Sequence, residues 1–294
     1  MKKLIIVTAI IMLVSCATVK QSAPPVEETS AGAAISNALT EAAEDQDYLI
    51  LATLWFQKSA EMRALYYQCF RNAETALAEN LAMQIRKMPI MDLPASENPM
   101  SGQGKPAAVV LDIDETLLDN SPFQGWQVLE KKEFNNDDWF RWVELAQAKS
   151  LPGAVEFTRY ADSLGVEVFY VSNRTVQEMG PTIKNMAALG FANADSTHML
   201  LKETTSSKVE RRAQIEKEYE IILLVGDNLA DISGVYEKRG SDYGFDAVDT
   251  DRLLFGIRYI VLPNPMYGNW LSELLKMTEG RTEKEKLLKL LETF

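Results

Sequence analysis

The chain has 294 residues, 47% of them apolar, and a formal net charge of −12. That length suits one large α/β domain or two small ones, with enough apolar material for a sizeable core. The acidic balance excludes a general nucleic-acid or anionic-membrane surface, which needs a basic patch. It leaves room for a small phosphorylated substrate, because a bound metal ion can make a site locally positive.

The first residues read as an export signal spanning 1–15. Lys2 and Lys3 form a basic start, and the apolar run from Leu4 to Val14 is too short and too early for an ordinary membrane span. Leu13-Val14-Ser15-Cys16 resembles a bacterial lipobox, so Cys16 is expected to be lipidated and to become the mature N-terminus; a plain signal peptide with a chance cysteine is the alternative. Residues 16–37 carry Pro24-Pro25 among small and polar residues without an apolar period, the composition of a flexible tether. Removing residues 1–15 takes away two lysines and no acids, which leaves about −14. With Cys16 acylated, Cys69 has no intrachain partner and is expected to be a small buried hydrophobe in a helix.

From about Ala38 to Met88 the pattern is helical. Tyr48, Ala52, Trp55, Ser59, Met62, Tyr66, Cys69, Ala73 and Ala76 alternate three- and four-residue steps and line one face. Leu51, Leu54, Phe56, Leu65, Phe70 and Leu77 widen it. So apolar a helix wants cover, from the rest of the chain or from a second subunit, which makes a homodimer conceivable. Pro94 to Pro106 reads as a loop, which closes an N-terminal segment over 38–106.

Strands and helices then alternate. Strands are expected at Ala107 to Leu111, Val166 to Val171, Ile221 to Val225 and Tyr259 to Leu262. Helices are expected from Pro152-Gly153 to Leu164, from Thr175 to Leu189 and from Ser206 to Tyr219. This alternation predicts parallel βαβ units, an open sheet with helices on both faces, over 107–294. In such sheets ligands gather beyond the carboxyl ends of the strands. Asp112 and Asp114 follow the first strand, Ser172, Asn173 and Arg174 the second, and Asp227 and Asn228 the third, while Lys208 begins the helix that feeds the third.

Several carboxylates at one sheet edge are costly without a cation. Oxygen-rich sites of this kind suit Mg²⁺, which would screen the repulsion between an attacking carboxylate and a phosphate. Ser172 and Lys208 supply donors for phosphoryl oxygens. A carboxylate can attack phosphorus, and a second acid two residues on can serve the leaving alcohol and then the water. A lone D-x-D is commonly a solvated loop; here it follows a hydrophobic strand and is joined, in order, by Ser, Lys and Gly-Asp at the same edge. His198 is the single histidine, so a His/Cys zinc site is not available, and neither a G-x-S-x-G elbow nor a G-x-x-x-x-G-K-[ST] loop occurs.

Val109-Val110-Leu111-Asp112-Ile113-Asp114-Glu115-Thr116 resembles the first motif of the haloacid-dehalogenase-like superfamily, with a Rossmann-like fold. Tyr170-Val171-Ser172-Asn173-Arg174 resembles the second motif, Lys208 the third, and Val225-Gly226-Asp227-Asn228-Leu229-Ala230-Asp231 the fourth. More narrowly, the chain resembles the class C acid phosphatases, bacterial outer-membrane lipoproteins that cleave nucleoside monophosphates, including nicotinamide mononucleotide. Leu118-Asp119-Asn120-Ser121-Pro122, Gly125-Trp126, Pro152 to Phe157 and Leu262 to Trp270 also match.

The resemblance implies that Asp112 is the nucleophile and a Mg²⁺ ligand. Asp114 would be the acid/base, with its backbone carbonyl on the metal, and Asp227 the other metal carboxylate, with Asp231 supporting its loop. Ser172, Asn173 and Lys208 would hold the phosphate, and Arg174 would support its loop. Trp139 and Tyr267 match the family's two ring-stacking aromatics, though core packing in the segment Asp137 to Ala148 is an alternative for Trp139. Residues 119–150 and 240–258 would form a small cap or inserts. Three functions remain open on sequence: a surface-anchored 5′-nucleotidase or acid phosphatase, a ligand-binding or adhesive lipoprotein, and a phosphotransferase.

Overall fold

The computed structural model describes residues 45–86 and 104–294. The signal peptide, Cys16, the tether and most of the loop from Pro94 lie outside the described residues. Helix α1 (Leu49–Lys58) follows a 3₁₀ turn at Asp45–Tyr48, and α2 spans Ala60–Arg86. The single long helix expected here is broken at Ser59, whose backbone is extended (ψ 140°). The Ser59 hydroxyl accepts from the Met62 N–H at 3.0 Å, capping α2.

That break resets the helical phase. The predicted face holds in α2, which buries Met62, Tyr66, Ala73 and Ala76 together with Phe70 and Leu77. In α1 the buried residues are instead Leu49, Thr53 and Phe56, and Leu51 stays 79% exposed. Cys69 is half-buried, its thiol 3.5 Å from the Val261 carbonyl.

The sheet has five parallel strands in the order β5-β4-β1-β6-β7, with β1 Ala107–Leu111, β4 Glu167–Thr175, β5 Met199–Lys202, β6 Glu220–Gly226 and β7 Tyr259–Val261. β2 (Leu118–Asp119) and β3 (Lys149–Ser150) pair separately and antiparallel, closing the base of an excursion that carries α3 (Ser121–Glu130) and α4 (Asn136–Glu144). Further along come α5 (Ala154–Ser163), α6 (Met179–Leu189), α7 (Val209–Glu216), α8 (Leu229–Ile232), α9 (Phe245–Thr250), α10 (Asn269–Met277) and α11 (Glu283–Leu290).

Period-two side chains divide the core. Ala107, Val109 and Leu111 of β1 pack with Tyr66, Phe70 and Leu77 of α2 and Phe157 of α5; Ala108 and Val110 pack on the other face with Ile215 of α7 and Ile232 of α8. Helix α2 is thus one wall of the core beneath the sheet. The Asn80 amide donates to the carbonyls of Ile222 (2.9 Å) and Ile257 (2.8 Å), and Gln57 donates to Ser121 at 2.8 Å, which ties the N-terminal helices to β6 and to the start of α3. Among the described residues no helix is long and apolar enough to cross a membrane.

Candidate active site

β1 ends at Leu111, and the Asp112 N–H donates to the Val225 carbonyl of β6 at 3.0 Å. This lashes the D-x-D turn between two central strands. Asp112 is buried, and its Oδ1 receives the Lys208 ammonium, which stands just before α7. Lys208, 3% exposed, also meets Asp231 at 2.7 Å. Carboxylate oxygens of Asp112, Asp227 and Asp231 lie within 4.8 Å of one another. Asp227 is oriented from two sides. The Thr116 hydroxyl donates to its Oδ1 (2.9 Å) and the Asn264 amide to its Oδ2 (2.9 Å).

Burial and crowding set the electrostatics. Burial pushes the Asp112 carboxyl well up; Lys208 opposes this, and the neighbouring Asp231, Asp227 and Asp114 add to it. Asp227 is pushed up to about 7 by burial and by Asp231. Burial alone would lower the Lys208 ammonium, but Asp112 and Asp231 outweigh it and hold it above the ordinary value. A cluster this reluctant to ionise fits a cation: an ion among the three carboxylates would offset the burial and the mutual repulsion that together hold the protons on. Asp231, assigned from sequence only to loop support, does that and more. Its Oδ2 accepts the Asn228 N–H at 3.0 Å, closing a capping box, while Oδ1 joins the cluster through Lys208. Gly226 makes this possible, since a Cβ there would sit 2.6 Å from the Asp231 Cβ.

The Asp114 carboxylate stands apart from this cluster. Arg174 forks onto it, Nη2 at 2.7 Å and Nε at 3.0 Å from Oδ1, and Asn120 donates to the same oxygen at 2.8 Å. Arg174, expected to support its own loop, is a clamp on Asp114; it also donates to Thr182 and stands 5.6 Å from the centroid of the Trp139 ring. Separation of the two carboxylates gives each its own environment: Asp112 faces Lys208 and Asp114 faces Arg174.

Ser172, Asn173 and Arg174 lie within the last turn of β4, which runs four residues beyond the expected strand. Ser172 is fully buried, its hydroxyl accepting the Arg174 N–H at 3.1 Å and standing 3.4 Å from Asp114 Oδ2. Asn173 borders the cleft and is held by Arg211, which donates to its Oδ1 at 2.7 Å and to the carbonyl of Ser172. Sequence reasoning missed Arg211, which has no motif beyond its place one turn after Lys208. It also passed over Asn120, Thr116 and Asn264 as individual residues, although each sits in a matching segment.

The cleft encloses about 1000 Å³. Trp139 borders it, edge-on to Phe123 at 5.2 Å, and the half-exposed Tyr267 stands at its rim. Trp139 is half-buried, packed against Phe123 and Phe134, and forms part of the cleft wall. Phe134, 61% exposed at the mouth, was not anticipated. His198 lies away from the cleft, with hydrogen-bond partners in Glu167 (3.0 Å) and Asp195 (2.9 Å).

Tyr66 reaches the site from the N-terminal helix. Its hydroxyl donates to the carbonyl of Glu115, in the D-x-D turn, and lies 3.3 Å from that of Pro263, beside Asn264. Tyr66→Phe keeps the ring and strips both carbonyls of their donor, a loss of about 1–3 kcal/mol. The melting temperature is expected to fall by roughly 3–10 °C. An unchanged melting curve would show that this hydroxyl carries no load.

A family model for the HAD superfamily, subfamily IIIB (acid phosphatase), matches residues 2–270. The class C acid phosphatase from Bacillus anthracis is similar in structure, with a TM-score of 0.74 and 34% identity, over 85% of this chain and 99% of that one. A second structure of the Bacillus anthracis enzyme, with tungstate bound, is similar at a TM-score of 0.73 and 33% identity, over 85% and 98% of the two chains. Acid phosphatase 1 of Solanum lycopersicum is 28% identical over 54% of this chain and 57% of its own, and a stem 31 kDa glycoprotein of Glycine max 26% identical over 54% and 58%. The chain thus spans little more than half the length of these curated relatives.

Proposed function

Since this chain belongs to subfamily IIIB of the HAD superfamily, the acid phosphatases, we propose that it is a Mg²⁺-dependent phosphomonoesterase that hydrolyses nucleoside monophosphates through an aspartyl-phosphate on Asp112. The observation that carries this reading is the division of the carboxylates. Asp112 shares one cluster with Lys208, Asp227 and Asp231, while Asp114 is held apart by Arg174 and Asn120. A nucleophile and a proton carrier need different surroundings, and these two residues have them.

In the proposed reaction an Asp112 carboxylate oxygen attacks phosphorus and the ester P–O bond breaks. Asp114 gives its proton to the departing alkoxide. Water then attacks the acyl phosphate, Asp114 takes back a proton, and inorganic phosphate leaves. Lys208 and the Ser172–Asn173 segment would hold the phosphoryl oxygens. A Mg²⁺ ion held by Asp112, Asp227 and Asp231, with the Asp114 backbone carbonyl implied by the family, would supply Lewis-acid charge neutralisation. The tungstate of the Bacillus anthracis structure, a tetrahedral oxyanion like phosphate, supports an oxyanion site in this fold. Trp139 and Tyr267 would stack a nucleobase or nicotinamide ring. The lipobox at Cys16 supports attachment to the outer membrane by lipid, on the extracytoplasmic side.

The test is a phosphate-release panel with and without Mg²⁺ over nucleoside monophosphates, nicotinamide mononucleotide, sugar phosphates and phosphotyrosine at pH 5 to 7. Release from none of them with metal present sinks the reading.

Metal binding has its own readout. Asp227 titrates near 7 in the folded protein but near 4 unfolded, so between those values the folded state holds the extra proton. Stability of the metal-free protein therefore falls as pH rises through that window, and Asp112 and Glu115, both pushed up by burial, act in the same direction. Adding Mg²⁺ at pH 7.5 to a hundred times its dissociation constant is expected to raise the melting temperature by roughly 5–10 °C. Equal melting with Mg²⁺ and with chelator would argue against the ion.

A further inference from the structure

One wall of the cleft is built from α3, and it carries two amides that no described residue hydrogen-bonds. Asn120 at its N-cap, Gln124 and Gln127 lie at i, i+4 and i+7, on one face, and all three border the cleft. Asn120 is fully engaged: its Nδ2 donates to Asp114, and its Oδ1 accepts from Trp142 at 2.8 Å. Gln124 and Gln127 are only 8% and 4% exposed, yet neither side-chain amide has a hydrogen-bond partner among the described residues. A primary amide carries two donors and a two-lone-pair acceptor, and both amides keep access to the cleft, where a ligand can meet them. At 1.5 Å per residue the stripe leads from the Asp114 contact about 6 Å to Gln124 and about 10 Å to Gln127, a path of nucleoside length. The stripe lines the same cleft as the aromatic cluster of Phe123, Phe134 and Trp139.

We propose that Gln124 and Gln127 form a leaving-group recognition edge, Gln124 bonding the sugar hydroxyls and Gln127 the polar edge of the ring stacked on the aromatic wall. Stacking alone accepts any flat ring; two buried amides select one that bears its own donors and acceptors, and they disfavour an apolar aryl group that leaves them unpaired. This assignment rests on the phosphatase reading above and narrows its substrate class to hydroxylated, amide-bearing alcohols.

The test compares kcat/KM for uridine 5′-monophosphate, ribose 5-phosphate and phenyl phosphate in the wild type, Gln124→Met and Gln127→Met. Methionine keeps the length and helix preference and removes the amide. Gln127→Met is expected to lower the ratio of uridine monophosphate to ribose phosphate about tenfold, the worth of one neutral hydrogen bond. Gln124→Met is expected to lower both substrates against phenyl phosphate by a similar factor. Ratios that stay within twofold of wild type in both variants overturn the proposal. If a methionine variant fails to fold, Gln→Glu at the same position is the second variant. It keeps the volume and loses the amide donors, and the same loss of selectivity is expected. A wild type that releases phosphate from all three while the ratios hold sinks this assignment alone; a wild type that releases none sinks the phosphatase reading with it.

Discussion

Asp112→Asn is expected to lower phosphate release by at least about a thousandfold while leaving the protein folded. The amide is isosteric and keeps a carbonyl oxygen for the Lys208 ammonium, and Lys208 retains Asp231 at 2.7 Å, so no buried cation is stranded. The backbone bond from residue 112 to Val225 does not involve the side chain. What is lost is the oxygen that attacks phosphorus. Two measurements check this: steady-state turnover, and trapping of a hydroxylamine-sensitive phosphoryl-protein after rapid quench, which should form in the wild type and vanish in the variant. A variant that retains even a tenth of the turnover would mean that water attacks directly and that Asp112 serves only to order the site.

Asp114→Asn separates the two half-reactions. An asparagine can still accept from Arg174 and Asn120, so the clamp seen at 2.7 and 2.8 Å is largely kept. It can neither give nor take a proton. For an alkyl phosphate, whose leaving group needs that proton, kcat is expected to fall about 10²–10⁴-fold. An activated aryl phosphate leaves without help, so its first step survives. The water attack that follows still lacks a base. Stopped-flow mixing should therefore show one burst of phenolate per active site followed by slow turnover. Equal losses for alkyl and aryl esters, with no burst, would reassign the acid/base role to another group.

Much of the site is legible in the sequence, because each element of it is local. Asp112 and Asp227 each follow a strand, and Ser172 an apolar run within one, and a parallel sheet brings the ends of its strands together whatever the details of packing. What escapes is set by contacts that no short window contains. Arg174 looks like a loop residue until the fold places it across from Asp114, sixty positions away. Tyr66 touches the site through backbone carbonyls, and Arg211 through the Ser172 carbonyl and the Asn173 side chain 38 positions away, contacts that no short window contains. β5, four residues long at the sheet edge, and the two-residue β2 and β3 are too short to show a period. The break at Ser59 hides inside a good helical pattern because serine is tolerable in a helix and better as its cap.

The N-terminal helix also constrains how the protein is made. Asn80 bonds to carbonyls 142 and 177 positions further on, and Tyr66 stands against one 197 positions further on. The helix lies far ahead of β6, β7 and Pro263 in the chain, yet these are what it must seal. The face of the sheet that it will cover stays bare until β6 and β7 have joined. Closure of this core is therefore a late, non-local event, governed by the slow return of the chain's beginning to its end.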